Sequence, residues 1–402
     1  MTSSFTRNAV VLGLLSAIGP FAIDMYLPAL PSISADLHAS NAATQGSLMA
    51  FFLAVAVCQI VYGPLSDSFG RKAPLHFGGA LYTIGAIGCS FAPTIEWLIF
   101  ARFVQGVGAC AAMTIPRAVV RDLHTGHEAA RLMSLIMLVF SVSPILAPLF
   151  GSLVIAFAGW RDIFLAMAVA AVLGLVLVAF ALRETRPREA RIPFDLKTIA
   201  ASYLELFRDR NYLGLVFIGG FGLASFFAFL SGSSFVYMEH FGLSPTQYSF
   251  AFSVNAVAFI GTAQLAGYFG RRFGLHRTVS AALTFYLAST TTLLALTLAG
   301  VDNVFVLIGM LWIGFAAMGL VIPSTAVLSL ENYGRTAGTA AALMGTLQLM
   351  VGAIVVGIVG VFSNGNVLPM VSAIAACAAI AFALGRVTLT GREVVPGAQP
   401  AE

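Results

Sequence analysis

Long apolar runs alternate with short polar connections along this chain, at roughly 8 to 30, 44 to 66, 74 to 93, 97 to 116, 132 to 153, 163 to 182, 211 to 233, 246 to 268, 278 to 299, 303 to 327, 336 to 361 and 367 to 385. Each is close to the ~17–25 residues that an α-helix needs to cross the hydrocarbon core of a bilayer. The runs are apolar all round and far longer than the ~10-residue alternating segments of a membrane β-barrel. The pattern predicts an all-α integral membrane protein with twelve spans and both ends on one side. The first run has no A-x-A cleavage site and continues into the Asp24 segment, so it reads as a retained span.

The polar positions supply orientation and division. Of the 21 Lys and Arg, all but Arg102 and Arg161 fall on the side that holds the N-terminus if that end is cytoplasmic. Arg102 lies inside the fourth run and Arg161 on the opposite side, an asymmetry that predicts cytoplasmic N- and C-termini. The longest polar interruption, Arg183 to Asn211, separates six spans from six, and its stretch from Ala200 to Phe207 suits a short interfacial helix. This gives a first half over 1–182, a central loop over 183–210, a second half over 211–385 and a tail over 386–402. A faint repeat supports two halves: the segment starting at Gly63 and ending in Phe69-Gly70 lines up with the one from Gly267 to Phe273-Gly274, at an offset of 204.

Composition agrees and excludes other classes. The chain is 59% hydrophobic and 9% charged, with a mean hydropathy of +0.93, whereas soluble domains carry about a quarter charged residues. A net charge of +4 is too small to coat nucleic-acid phosphates. Cys58, Cys89, Cys110 and Cys377 lie within apolar runs at unrelated spacings and read as small hydrophobes. There is no G-x-x-x-x-G-K-[ST] phosphate loop, and the six histidines sit in loops or at span ends. No cofactor and no metal are expected, and no catalytic constellation marks an enzyme.

Asp24 is the one acidic residue inside an apolar run. A carboxylate there is costly unless it is protonated, paired or wetted, so it is a candidate proton or substrate group, or else a hydrated residue near the outer end of its helix. Arg102 lies at a similar depth, ~8–9 Å below the outer surface at 1.5 Å per residue, which permits an Asp24–Arg102 pair acting as a latch or a structural lock. Gln105 shares the face of Arg102 one turn on. Among neutral groups, Tyr26, Asn255 and Gln348, with Phe227 from the aromatic run in the seventh span, are candidates for a substrate cavity, or for ordinary helix packing. Pro144 and Pro148 in the fifth span each remove a backbone hydrogen bond.

Several of these segments resemble one family. The stretch from Gly63 through Asp67, Gly70, Arg71 and Lys72 resembles the loop motif between helices 2 and 3 of the major facilitator superfamily. By that resemblance Asp67 and Arg71 form a cytoplasmic charge latch, with Arg121 and Asp122 as partners; Arg271 occupies the acid's place in the second copy, so no latch is expected there. The Arg102 to Gly108 segment resembles the helix 4 motif whose arginine is associated with proton coupling, and Pro144, Pro148 and Gly151 resemble the helix 5 antiporter motif. IDMYLPALP in the first span and AGTAAALMGTLQ in the eleventh are similar to the Bcr/CflA-type drug:proton antiporters. The resemblance implies two six-helix halves rocking about a central site. It also implies a monomeric multidrug exporter in a bacterial inner membrane, whose partners are a small-molecule substrate, protons and the lipid bilayer. A proton-coupled permease or exporter of an endogenous metabolite is the alternative.

Overall fold

The computed structural model describes residues 3–124, 126–191, 196–333 and 336–389. Arg335, Arg392 and the tail from 390 lie outside the described residues. Among those described there is no strand. The helices are α1 (Ser3–Asp24), α2 (Leu30–Asp36), α3 (Asn41–Phe69), α4 (Lys72–Ser90), α5 (Ile95–Leu123), α6 (Gly126–Phe157), α7 (Trp160–Phe180), α8 (Leu196–Arg208), α9 (Arg210–Phe235), α10 (Pro245–Phe273), α11 (Leu275–Leu298), α12 (Val304–Leu330), α13 (Ala337–Phe362) and α14 (Val367–Leu389). A single π-helical turn, Val236–His240, prolongs α9.

The first span is α1 and α2 together, and the break between them follows from the sequence. Pro28 and Pro31 lack N–H groups, so the carbonyls of Asp24 and Leu27 lose their helical donors and the chain passes through a short 3-10 turn, Leu27–Ala29. The helix therefore stops at Asp24. Elsewhere, starts are capped by side chains. Ser40, Thr94, Asp209 and Asn303 each accept a hydrogen bond from a backbone N–H of the first turn, and Ser244 with Gln247 forms a reciprocal capping box.

Eleven spans among the described residues are long and apolar enough to cross a bilayer by length and composition. The third expected span is realised as α4, which falls short because Pro74, His76 and several glycines replace larger apolar residues. Those glycines are its packing surface. A Cβ on Gly85 would lie 2.5 Å from the backbone N of Gln105, and one on Gly108 of α5 would lie 2.4 Å from Gly78 O, so α4 and α5 touch backbone to backbone. The interfacial helix α8 is longer than expected, starting at Leu196, with Leu206 buried and Leu204 and Phe207 exposed.

The two sets of spans repeat one packing scheme: α4 packs on α5 and α7 as α11 packs on α12 and α14, and α3 on α5 as α10 on α12. The 204-residue offset appears in the backbone too. Gly70 and Gly274 both end a helix with positive φ, +89° and +83°, conformations that glycine adopts without strain. Large exposed side chains such as Phe77, Phe100, Leu173, Phe285 and Phe305 cover the outside, as lipid requires and water would not tolerate in such number.

The halves meet most tightly at the end that carries Asp36. There Ser234 Oγ donates to Leu27 O (2.7 Å), Ser249 Oγ to Pro148 O (2.9 Å), Asn41 Nδ2 to Glu239 Oε2 (3.3 Å) and Gln45 Nε2 to Ser363 Oγ (3.1 Å). The seam of α3 with α13 continues to Thr346 Oγ1, which donates to Ala56 O at 3.0 Å, and to Gly345 against Gln59. Beyond it, toward the basic end that carries Asp67, Gly63 and Gly338 have open space where a Cβ would stand. At the Asp36 end the halves are closed.

Candidate functional site

Asp24 is buried, at 4% exposure, where α1 breaks. It accepts no hydrogen bond and meets no cation among the described residues; its neighbour across the seam is the Tyr248 hydroxyl, within electrostatic reach. Tyr248 is itself buried and shares a hydrogen bond with Ser233 (3.3 Å), next to the Ser234 that holds Leu27 O.

The expected Asp24–Arg102 pair is not formed. Arg102 is fully buried, and its Nη1 donates to Ala22 O (3.1 Å) and to Gln105 Oε1 (2.7 Å). Its guanidinium lies over three rings, with the carbon 4.4 Å from the Phe51 centroid, 4.7 Å from Tyr26 and 5.8 Å from Phe164. Ring faces attract a desolvated cation, which is what retains this charge at such depth without a carboxylate. Nε and Nη2 have no hydrogen-bond partner among the described residues. Equal depth set the expectation, but depth does not fix azimuth. Ala22 and Asp24 are about 200° apart around α1, so the face that gives Arg102 a carbonyl turns the carboxyl away, toward α10.

Helix α6 comes up against the same break. A Cβ on Gly151 would lie 2.0 Å from Met25 O and 3.1 Å from Pro28 Cγ, so only glycine fits there. Pro148 O receives Ser249, and one turn earlier Ile145 O receives Ser253 (3.1 Å), so the proline-rich stretch of α6 is joined to α10.

At the basic end the structure brings Asp67, Arg71 and Asp122 together. Arg71 Nε and Nη2 grip Asp122 at 2.7 and 3.2 Å, while Nη1 reaches Asp67 Oδ1 (2.9 Å) and Ser66 Oγ (2.7 Å). Two residues of the central loop that sequence reasoning left out complete the cluster. Glu184 accepts the backbone N–H groups of Arg71 (2.8 Å) and Lys72 (3.1 Å), and Arg186 Nη1 bonds Asp67 Oδ1 (2.9 Å). Burial works against the Glu184 carboxylate, but the N–H groups of Arg71, Arg186, Lys72 and Thr185 outweigh it and hold its pKa below the usual range. Lys72 Nζ donates to Ala179 O (3.0 Å). Arg121, expected in the cluster, is exposed outside it, because its place on α5 next to Asp122 turns it 100° away.

Of the four cavity candidates, Phe227 and Gln348 share the seam of α9 with α13, where Phe227 lies against Gly352. Tyr26 bonds Ser47, and Phe227 stacks on Phe52 of the other half at 4.1 Å with planes 11° apart. Asn255 Nδ2 donates to Ala251 O (3.3 Å) while its Oδ1 stays unpartnered. Gln348 lies against Gly219. Phe52 and Tyr248 went unnoticed in the sequence because single aromatic residues in a span carry no signal of which helix they face.

A family model described as Major Facilitator Superfamily matches residues 12–357. The chain belongs to the Major Facilitator Superfamily. It is 36% identical over 90% of both chains to the uncharacterized MFS-type transporter YdgK of Bacillus subtilis, and 32% identical to a bicyclomycin resistance protein homolog of Haemophilus influenzae, over 92% of this chain and 93% of that one. The relatives' names point to the Bcr/CflA-type branch that the motifs resemble. In fold it matches a bacterial homolog of the human lysosomal transporter Spinster solved in an inward-facing, unoccupied conformation, with a TM-score of 0.74 at 16% identity over 99% of this chain and all of that one. The chain is therefore a multi-pass transporter and not an enzyme.

Proposed function

We propose that this transporter exports lipophilic or amphipathic small molecules in exchange for protons, from a bacterial inner membrane with both termini cytoplasmic. The observation that carries the reading is the separation of its two intramembrane charges. An ionised carboxylate without a partner is costly in a closed apolar seam, so the arrangement suits an Asp24 that carries a proton. Once deprotonated, Asp24 needs a new partner, and the free Nε and Nη2 of Arg102 or the cationic or hydrogen-bonding head of a substrate supplies one. Closing the Asp36 end over a neutral Asp24, and opening it for an ionised one, exchanges proton for substrate as the halves over 1–182 and 211–385 rock. Inward proton flow is worth ~2.3 kcal/mol per charge per 100 mV of membrane potential, which is enough to drive export uphill. With N-in topology the Asp67 cluster is cytoplasmic, and its joining of α3, α5 and the central loop supports a latch that strengthens one state.

The test is drug-dependent proton movement in inverted membrane vesicles, with a panel of lipophilic probes. Asp24→Asn is expected to abolish it and Arg102→Ala to uncouple it; unchanged proton-driven efflux in Asp24→Asn would overturn the coupling assignment.

A further inference from the structure

The internal repeat exposes a difference between the two halves at the Asp36 end. In the first half, three elements meet there and are sealed by a charged clamp. Asp36, at the end of α2, accepts Trp160 Nε1 (3.1 Å) and Arg161 Nη1 (2.5 Å) from the start of α7. Arg161 Nη2 then donates to Ala92 O in the α4–α5 connection (3.1 Å), and its guanidinium lies 4.2 Å from the Trp160 ring. This accounts for the one basic residue that the charge asymmetry left on the far side.

The same three elements recur in the second half. The offset of 204 carries Asp36 to His240, at the end of the π-helical turn. The α11–α12 connection presents Asp302, which receives His240 Nε2 at 2.8 and 2.9 Å. The start of α14 stands where α7 starts; counted from the two helix starts, an offset of 207 here, Val367 and Leu368 occupy the places of Trp160 and Arg161. Nothing corresponds to the large ring and the guanidinium. A cavity of about 260 Å³ lies there instead, with Asp302, His240 and Asn366 at its polar side and Phe241, Leu293 and Leu307 among its apolar walls.

We propose that this cavity binds a lipophilic monocation, an ammonium or amidinium on a small apolar body, from the Asp36 end. The first half supplies the template. There a guanidinium sits between a carboxylate and a connection carbonyl with an aromatic ring beside it, and the carboxylate accepts two donors at once. In the second half Asp302 has one donor, His240, and lone pairs to spare, and the carboxyl end of α11 adds its own negative field. The volume is just below the ~300–1,000 Å³ of pockets for drug-sized ligands, so it fits one ring with a short chain. Neither Asp24 nor Arg102 lines this cavity, and the inference stands apart from the export reading because binding in micelles needs no transport.

The test is calorimetric titration of the purified full chain in detergent with 4-butylbenzamidine and its neutral isostere 4-butylbenzamide. The amidine is expected to bind at least ~10-fold more tightly, the ratio that ~1.4 kcal/mol gives. Asp302→Asn should bring it down to the amide's affinity, and Leu368→Arg, which returns the chain's own cation to the site, should abolish its binding. Equal binding of amidine and amide by the natural chain overturns the proposal, as does full binding by Leu368→Arg. Leu368 is partly exposed at a helix start, so its variant carries the test even if Asp302→Asn fails to fold.

Discussion

Replacing Arg71 by alanine removes the centre of the cluster at the basic end. The Arg71 side chain is 4% exposed and holds two carboxylates, Asp122 through Nε and Nη2 and Asp67 through Nη1. Removing one partner of a fully buried pair costs ~3–5 kcal/mol. Two features lower that figure here. Asp122 is 18% exposed and keeps a hydrogen bond from Thr185 (3.1 Å), and Asp67 is 39% exposed and keeps Arg186 at 2.9 Å. A loss of about 2–3 kcal/mol remains. With an unfolding entropy of about 2.1 cal/mol/K per residue, the 402 residues give about 0.8 kcal/mol/K, so the melting temperature should fall by about 3 °C. The assay is thermal unfolding of the purified protein in detergent for Arg71→Ala, Asp122→Ala and the double variant. Because the two groups touch, the double variant should lose less than the sum of the singles by about 1–2 kcal/mol. Arg71→Lys should recover little, since an ammonium cannot take a carboxylate from two sides. Additive losses, or an Arg71→Ala protein that melts within 1 °C of the natural chain, would refute the account of the cluster.

Gly151→Ala places a methyl group against the Met25 carbonyl, which as backbone at a helix break cannot move aside. A loss of about 1–3 kcal/mol is expected in the same melting assay, together with reduced efflux, whereas Gly338→Ala at an open position should be silent on both counts. Glu184 has a lowered pKa in the folded state, so its contribution is complete above the ordinary glutamate range and is lost as pH falls through the folded value. The melting difference between the natural chain and Glu184→Gln should therefore be present at pH 7 and shrink as pH falls below the ordinary glutamate range; a constant difference would show that charge is not what Glu184 supplies. Arg161→Ala breaks a pair whose side chains are 41% and 47% exposed, so it should shift melting by no more than about 1 °C.

Lipid as solvent made the architecture legible. Every crossing segment must satisfy its own backbone, so length and apolarity alone mark the spans, and α4 strays from the rule only because glycine contact with α5 replaces bulk. The two prolines that stop α1 at Asp24 were visible as residues, and so was the cytoplasmic motif with Asp67, Arg71 and Asp122. What the sequence did not show is rotation about helix axes and the path of the central loop. Glu184 and Arg186 read as two more charges in a polar stretch, yet the loop folds back to put both on the Arg71 cluster. Arg121 read as a partner of that cluster and faces away.

The same blindness to azimuth explains Asp24 and Arg102, and there the difference bears on mechanism. Two opposite charges at one depth in an apolar run suggest a bond, since pairing is the usual way to tolerate them. The structure tolerates them separately, the guanidinium by three ring faces, a carbonyl and Gln105, the carboxyl at a helix break within electrostatic reach of a tyrosine. A permanent pair would hold α1 to α5 in every state and leave no reason for Asp24 to take up a proton. Kept apart, with Nε and Nη2 of Arg102 unused, the charges leave a choice of partner that depends on whether Asp24 is protonated. A double cysteine substitution at Asn41 and Glu239, whose side chains meet at the closed end, can report that choice. Thiolate reactivity rises with pH in both backgrounds, so the readout is cross-linking in the natural background relative to Asp24→Asn at the same pH, which should fall as pH rises; a ratio that stays constant would place the switch elsewhere.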